Sequence, residues 1–178
     1  MHVLFLGADG GARSHAKLSR LTVAGLGSGD ADYFGSSVAA LGDVDGDGRS
    51  DILGPNGWFE APDDPREGEW KFHDDWSLGG AGISIIVHDF DTDGLADVFW
   101  GMGHDYGLYW MKQGRDTEGR RTWSRASVDS SWSQAHGLVL VDLDGDGRSE
   151  VLTGKRKHAH NGKDPGGEDP LIVCSSVS

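Results

Sequence analysis

An all-β fold of short strands joined by tight turns is what this sequence predicts, on three observations. An acidic loop of fixed spacing occurs three times, at intervals of about 50 residues. Each copy sits between short runs of aliphatic, β-branched and aromatic residues. Glycine supplies 29 of the 178 residues, while hydrophobic residues make up only 37%. Such a composition suits turn-rich β structure and argues against a helical bundle.

The first loop runs Asp43-Val44-Asp45-Gly46-Asp47-Gly48-Arg49-Ser50-Asp51. The second is Asp89-Phe90-Asp91-Thr92-Asp93-Gly94-Leu95-Ala96-Asp97, and the third Asp142-Leu143-Asp144-Gly145-Asp146-Gly147-Arg148-Ser149-Glu150. Carboxylates stand at positions one, three, five and nine of each, with glycine at position six. Hard oxygen donors on alternate residues of a tight turn are what Ca²⁺ requires. Position seven (Arg49, Leu95, Arg148) would offer only its backbone carbonyl, so its side chain is expected to be free to vary. A helical EF-hand needs a bidentate Glu at position twelve. Gly54, Trp100 and Thr153 stand there, and that reading fails. The plainer alternative is a solvated Asp/Gly turn, the lesser reading even for one copy; three in one register are expected to be metal sites.

The flanks read as strands. Val38 to Leu41, Ile83 to Val87 and Leu138 to Val141 lead in; Ile52-Leu53, Val98 to Trp100 and Val151-Leu152 lead out. Each loop therefore sits inside a β-hairpin. Before the first loop, His2 to Leu6 is an apolar run, and Ala16 to Ser19 and Leu21 to Val23 are short strand candidates. Gly57 to Glu60 and Glu69 to His73 complete the first unit. Gly107 to Met111 and Thr122 to Arg125 complete the second. In the third, a polar loop from Lys155 to Asp169 precedes Leu171-Ile172-Val173.

Four strands per unit at this period is the signature of propeller blades. The expected organisation is a single repeat region over 1–178: a half blade at 1–32, blades at 33–78 and 79–132, and an incomplete blade at 133–178. A propeller needs about four blades to close. A partial β-propeller of four-stranded blades with Ca-binding hairpin loops is therefore expected, completed by the rest of a larger propeller or by self-association.

Phe34-Gly35-Ser36-Ser37, followed by Val38 through Asp51, resembles the FG-GAP repeat of bacterial surface proteins and of integrin α-chain propellers. His2 to Leu6 with Ala8-Asp9-Gly10 resembles the outer half of a preceding repeat. The second and third repeats lack the Phe-Gly opening and are closer to the related VCBS-type repeats of secreted bacterial proteins. The resemblance implies a seven-bladed propeller with Ca²⁺ in hairpin loops on one face. It carries over to the four acids and the position-seven carbonyl of each loop. It implies little about activity, because propellers host unrelated functions.

The formal charge of −13 opposes nucleic acid and anionic membrane as partners. Much of it sits in the three loops, so it reads as metal-site chemistry. Cys174, the single cysteine, excludes an intrachain disulfide and is expected on a buried strand. No stretch approaches the ~20 apolar residues of a membrane helix, so no membrane insertion is expected. Val3 to Leu6 is too short for a signal-peptide core, and an export signal is read as absent from this chain. The expected location is extracellular or cell-surface.

Catalytic motifs are not found: no Gly-x-Ser-x-Gly elbow is present, and Gly25-x-Gly27-x-Gly29 lacks a strand-to-helix context. His104, His136, and the pair His158 and His160 are the residues from which a polar site could be built, His158 and His160 on one face if extended. Gly154 to Pro170 resembles loops of chains related to the propeller portion of aldos-2-ulose dehydratase, a sugar-processing lyase. Trp76 and Trp132 fall near strand ends, where exposure would let them stack on a sugar. The leading expectation is a non-catalytic extracellular segment presenting loops to a protein or glycan. The alternative is a fragment of a secreted carbohydrate-active enzyme.

Overall fold

The computed structural model describes residues 2–6, 8, 11–17, 23–24, 39–79 and 81–169. Thirteen strands and one 3₁₀ turn, Ala159–Gly162, are seen among them. Strands β1 (His2–Leu6) and β2 (Ala12–Lys17) form an antiparallel pair. The Phe-Gly opening, Leu171 to Val173 and Cys174 lie outside the described residues.

The first large sheet is ordered β3-β7-β6-β5-β4. Strands β4 (Ala39–Gly42), β5 (Asp51–Gly54), β6 (Gly57–Glu60) and β7 (Trp70–His73) run antiparallel in sequence order. The short β3 (Val23–Ala24) adds itself parallel to β7 at the outer edge. Periodicity did not predict this partner for β3, because two residues carry no register signal. The second sheet is a four-stranded meander of β8 (Ala81–His88), β9 (Asp97–Met102), β10 (Tyr106–Arg115) and β11 (Arg121–Ser133). Strands β12 (Ala135–Val141) and β13 (Glu150–Lys155) form the third.

The sheets stack through the side-chain alternation of β9, whose six residues are all buried. Val98, Trp100 and Met102 join Val44, Leu53, Trp58, Trp76, Leu78, Ile85 and Met111 in a cluster between the first and second sheets. Phe99, one residue out of phase, joins Leu108, Trp132, Ala135 and Val151 between the second and third. Period-two alternation places successive residues on opposite faces, so a strand apolar throughout serves two interfaces at once. The leading strands β4, β8 and β12 lie side by side. A Cβ on Gly42 would meet Val87 Cβ at 2.6 Å, so β4 approaches β8 only because residue 42 has no side chain.

Candidate metal centre

Each acidic loop joins the first two strands of its unit: β4 to β5, β8 to β9, and β12 to β13. The first and second loops line one gap and the second and third another, so all three come out at one end of the stack. In the first loop the carboxylates of Asp43, Asp45 and Asp51 lie within 4.8 Å of one another. In the second, Asp89, Asp91 and Asp97 do the same, and in the third Asp142, Asp144 and Asp146. Positions one, three and nine thus converge twice, and positions one, three and five once.

The turn is written into the sequence by its own acids. Asp43 Oδ1 accepts the Gly46 and Asp47 N–H groups (2.7 and 3.0 Å), and its Oδ2 accepts that of Gly48 (2.9 Å). Asp89 takes Asp93 and Gly94, and Asp142 takes Gly145 and Gly147, in the same pattern. Position five turns on itself: Asp47, Asp93 and Asp146 accept the N–H two residues on, at 2.8–2.9 Å. Gly46, Gly145 and Thr92 share loop position four at φ 82°, 79° and 60°. A β-branched residue in that left-handed region is strained, and Thr92 is held there by the loop around it.

Position nine is a clasp as well as a ligand candidate. Asp51 is wholly buried; its Oδ2 accepts the Val44 N–H and its Oδ1 the Ala61 N–H, both at 2.9 Å. Asp97 repeats this with Phe90 (3.3 Å) and Gln113 (2.8 Å). One carboxylate thereby ties the start of its loop to the strand after next. Burial pushes the Asp51 carboxyl up to about 6, against the lowering effect of the Ala61 and Val44 amides. Burial raises Asp97 in the same way, opposed by the Gln113 amide. Glu150, longer and half-exposed, accepts the Leu143 N–H at 2.8 Å and stands apart from the third cluster.

Three side chains here carry no local sequence signal. Arg49 corrects the expectation that the position-seven side chain is free to vary. Its Nε donates to the Ala61 carbonyl (2.8 Å), and its guanidinium pairs with Asp47 and with Asp63 (3.0 Å). Lys112 on β10 pairs with Asp91 and with Asp93 (3.2 Å). Gln113, beside it, joins the first two loops. In both of these loops a cation therefore holds the position-five acid, while Arg148 in the third is exposed. Leu95 is half-buried.

The residues fit a divalent cation with a preference for oxygen. The donor set is all carboxylate, and Asp91 Oδ1 is buried without a hydrogen-bond partner among its acidic neighbours. Three carboxylates this close repel unless a cation or proton intervenes. Those that would hold Ca²⁺ are Asp43, Asp45 and Asp51; Asp89, Asp91 and Asp97; and Asp142, Asp144 and Asp146.

Residues 34–62 match the FG-GAP repeat, and residues 89–153 match an FG-GAP-like repeat. The chain belongs to the FG-GAP repeat family. No curated protein matches it. The two FG-GAP matches contain all three acidic loops, and the repeat is propeller-like in architecture.

At the opposite end of the strands, the FG-GAP chain assembles only part of the histidine set. The His104 and His136 rings meet edge-to-face at 5.2 Å, and His104 Nδ1 lies 2.9 Å from Asp164. Burial, then the Arg156 charge, lowers the His136 pKa. His158 turns instead to Glu168 at 2.6 Å in an exposed pair, and the His160 side chain lies outside the described residues. Trp76 and Trp132 are buried, contrary to the exposure that sugar stacking requires. Their indole N–H groups go to the Gly54 carbonyl (3.0 Å) and to Asp129 (3.0 Å). Being apolar in body with one donor, each is satisfied inside the fold.

Proposed function

We propose that this FG-GAP chain is a non-catalytic, calcium-binding segment of an extracellular β-propeller, held rigid at one end by its ions and presenting loops to a protein or glycan. The observation that carries this reading is the recurrence of one carboxylate cluster at the same end of three successive units. In the proposed organisation, 1–32 is a half blade, 33–78 and 79–132 are four-stranded blades, and 133–178 begins another. The ligand set proposed for each ion is positions one, three, five and nine with the position-seven carbonyl. Arg49, Leu95 and Arg148 would thus contribute backbone oxygen, and Asp47, Asp93 and Glu150 would swing inward on binding. The extracellular assignment follows the usual setting of FG-GAP repeats. Among the described residues no helix is long and apolar enough to cross a membrane.

The proposed partner of the third unit is a further repeat, in a longer chain or a second copy. Loop position two supports this. Val44 is 2% exposed under the second sheet, and Phe90 packs against the cluster shared with the third. Leu143, its counterpart, is 60% exposed, and Val139 on the preceding strand is 55% exposed. The same position is covered wherever a next unit follows.

Isothermal calorimetry tests the metal reading. Heat with Ca²⁺ and much weaker binding of Mg²⁺ are expected, because a loop of many oxygens suits the larger ion. No Ca²⁺ heat at millimolar concentration would refute it. Chelation of the bound ion is expected to lower the melting temperature and to open the chain to proteolysis near Gly46-Asp47 and Gly145-Asp146, with β structure retained.

A further inference from the structure

We propose that Gln113 couples the first acidic loop to the second, so that a cation held by either one tightens the other. The inference rests on the calcium reading above and assigns to Gln113 a positioning role between sites. Gln113 is 1% exposed on β10. Its side-chain Nε2 donates to the Val44 carbonyl at 3.0 Å and to the Ala96 carbonyl at 2.7 Å. Its backbone N–H donates to Asp97 Oδ1 at 2.8 Å. Val44, in turn, donates its own N–H to Asp51 Oδ2 at 2.9 Å.

The position-nine carboxylates of two loops are thus joined through two residues, Gln113 by its backbone and side chain and Val44 by its C=O and N–H. Without a metal ion, the Lys112 ammonium offsets only part of the repulsion among Asp89, Asp91 and Asp97, and the end of the second loop is looser. A cation draws them together and fixes Ala96 and Asp97. Those two residues hold Gln113 at both its side chain and its backbone. A fixed Gln113 fixes the Val44 carbonyl, and through the Val44 N–H it fixes Asp51. Moving Gln113 away would strand the Val44 and Ala96 carbonyls without a donor in a buried setting. Coupling of this kind is reciprocal: each site strengthens the other by the same factor.

The second and third loops lack such a link. Among the described residues no hydrogen bond joins them, and a cleft of about 590 Å³ lies between, lined by Asp91, Thr92, Gly147 and Arg148. The gap between the first and second loops is about 200 Å³, with Gln113 on its wall. Coupling is therefore expected across one boundary and not across the other.

A Ca²⁺ titration of the full chain followed by amide NMR resolves the loops separately. Gly46 and Gly48 report the first loop, Gly94 the second, and Gly145 and Gly147 the third. Asp91→Ala disables the second loop and is expected to weaken Ca²⁺ at the first about fivefold, at the low end of common coupling factors. The third loop should keep its affinity. In a Gln113→Met background, Asp91→Ala should leave first-loop affinity unchanged. An unaltered first-loop affinity in Asp91→Ala would overturn the proposal, as would equal weakening of the first and third loops. Should Gln113→Met fail to fold, the Asp91→Ala comparison decides alone. Absence of any Ca²⁺-dependent shift in the unaltered chain would overturn the calcium reading itself, an outcome distinct from three loops that bind independently.

Discussion

Gln113 reaches across a sheet boundary to donate its side-chain amide to the Val44 carbonyl at 3.0 Å, from 69 residues away in sequence. The same nitrogen serves Ala96 at 2.7 Å. Replacing it by alanine strands two carbonyls and opens a cavity in a fully buried place. Gln113→Ala is expected to cost about 3 kcal/mol, from roughly 1–3 kcal/mol per buried group left unmade. Urea unfolding in saturating Ca²⁺ measures this, and a loss under about 0.5 kcal/mol would show that water replaces the amide.

Arg49 and Arg148 occupy the same loop position and should behave differently. Arg49→Ala removes the hydrogen bond to Ala61 and two ion pairs, of which the exposed pair with Asp63 contributes little. A cost of about 1 kcal/mol is expected, most of it from the Nε donor. Arg148→Ala, at an exposed side chain, should fall within about 0.5 kcal/mol of the unaltered chain. Thermal unfolding of the two variants side by side decides; equal effects would contradict the contacts described.

Thr92 is the one member of the position-four set that is not glycine. Relief of its left-handed backbone is worth about 1–2 kcal/mol, partly offset by the greater freedom of glycine in the unfolded chain. Thr92→Gly should therefore stabilise by about 0.5–1 kcal/mol. A lower melting temperature for Thr92→Gly would mean that the Thr92 side chain makes an interaction outweighing the strain.

Val44 and Leu143 make the same comparison for packing. Both stand at loop position two, the first buried and the second exposed. Val44→Ala should cost about 1–2 kcal/mol of transfer and cavity energy, and Leu143→Ala close to none. If Leu143→Ala proved as costly, a covering partner would already be present in solution, and sedimentation would reveal it.

The pH dependence of metal binding follows from Asp51. Its carboxyl is raised to about 6 by burial, so the metal-free fold favours the protonated form. Stability from this group is present at low pH and is lost as pH rises through about 6, where the buried charge forms without a counter-ion. A cation reverses the preference, because only the carboxylate binds it. Ca²⁺ affinity at the first loop should be constant above pH 7 and fall by up to tenfold per pH unit below about 6. Calorimetry at pH 5.5 in buffers of different ionisation heat should detect proton release on binding. Buffer-independent heats would show that Asp51 is already ionised.

Most of the local architecture was legible in the sequence. The acid at position one selects its turn through its own hydrogen bonds to residues three to five ahead, so the loop is specified within nine residues. The hairpins around it follow from apolar runs of four or five residues before each loop and two or three after it. The Trp76 and Trp132 environments were not legible, because the same residue near a strand end is buried or exposed according to what lies across from it. Arg49 was misread for a related reason: its partners Ala61 and Asp63 lie on the far side of a hairpin.

An all-β chain, three acidic turns interrupting its hairpins, and FG-GAP repeats were all readable from residue order. These depend on spacing, and spacing is a property of the chain. Which carboxylates meet was set by packing: positions one, three and nine in two loops, and one, three and five in the third. That choice depends on burial of Asp51 and Asp97, on cations contributed by Arg49 and Lys112, and on Gln113 arriving from a neighbouring strand. Those groups come from sequence-distant positions, brought within hydrogen-bonding reach only when the sheets stack.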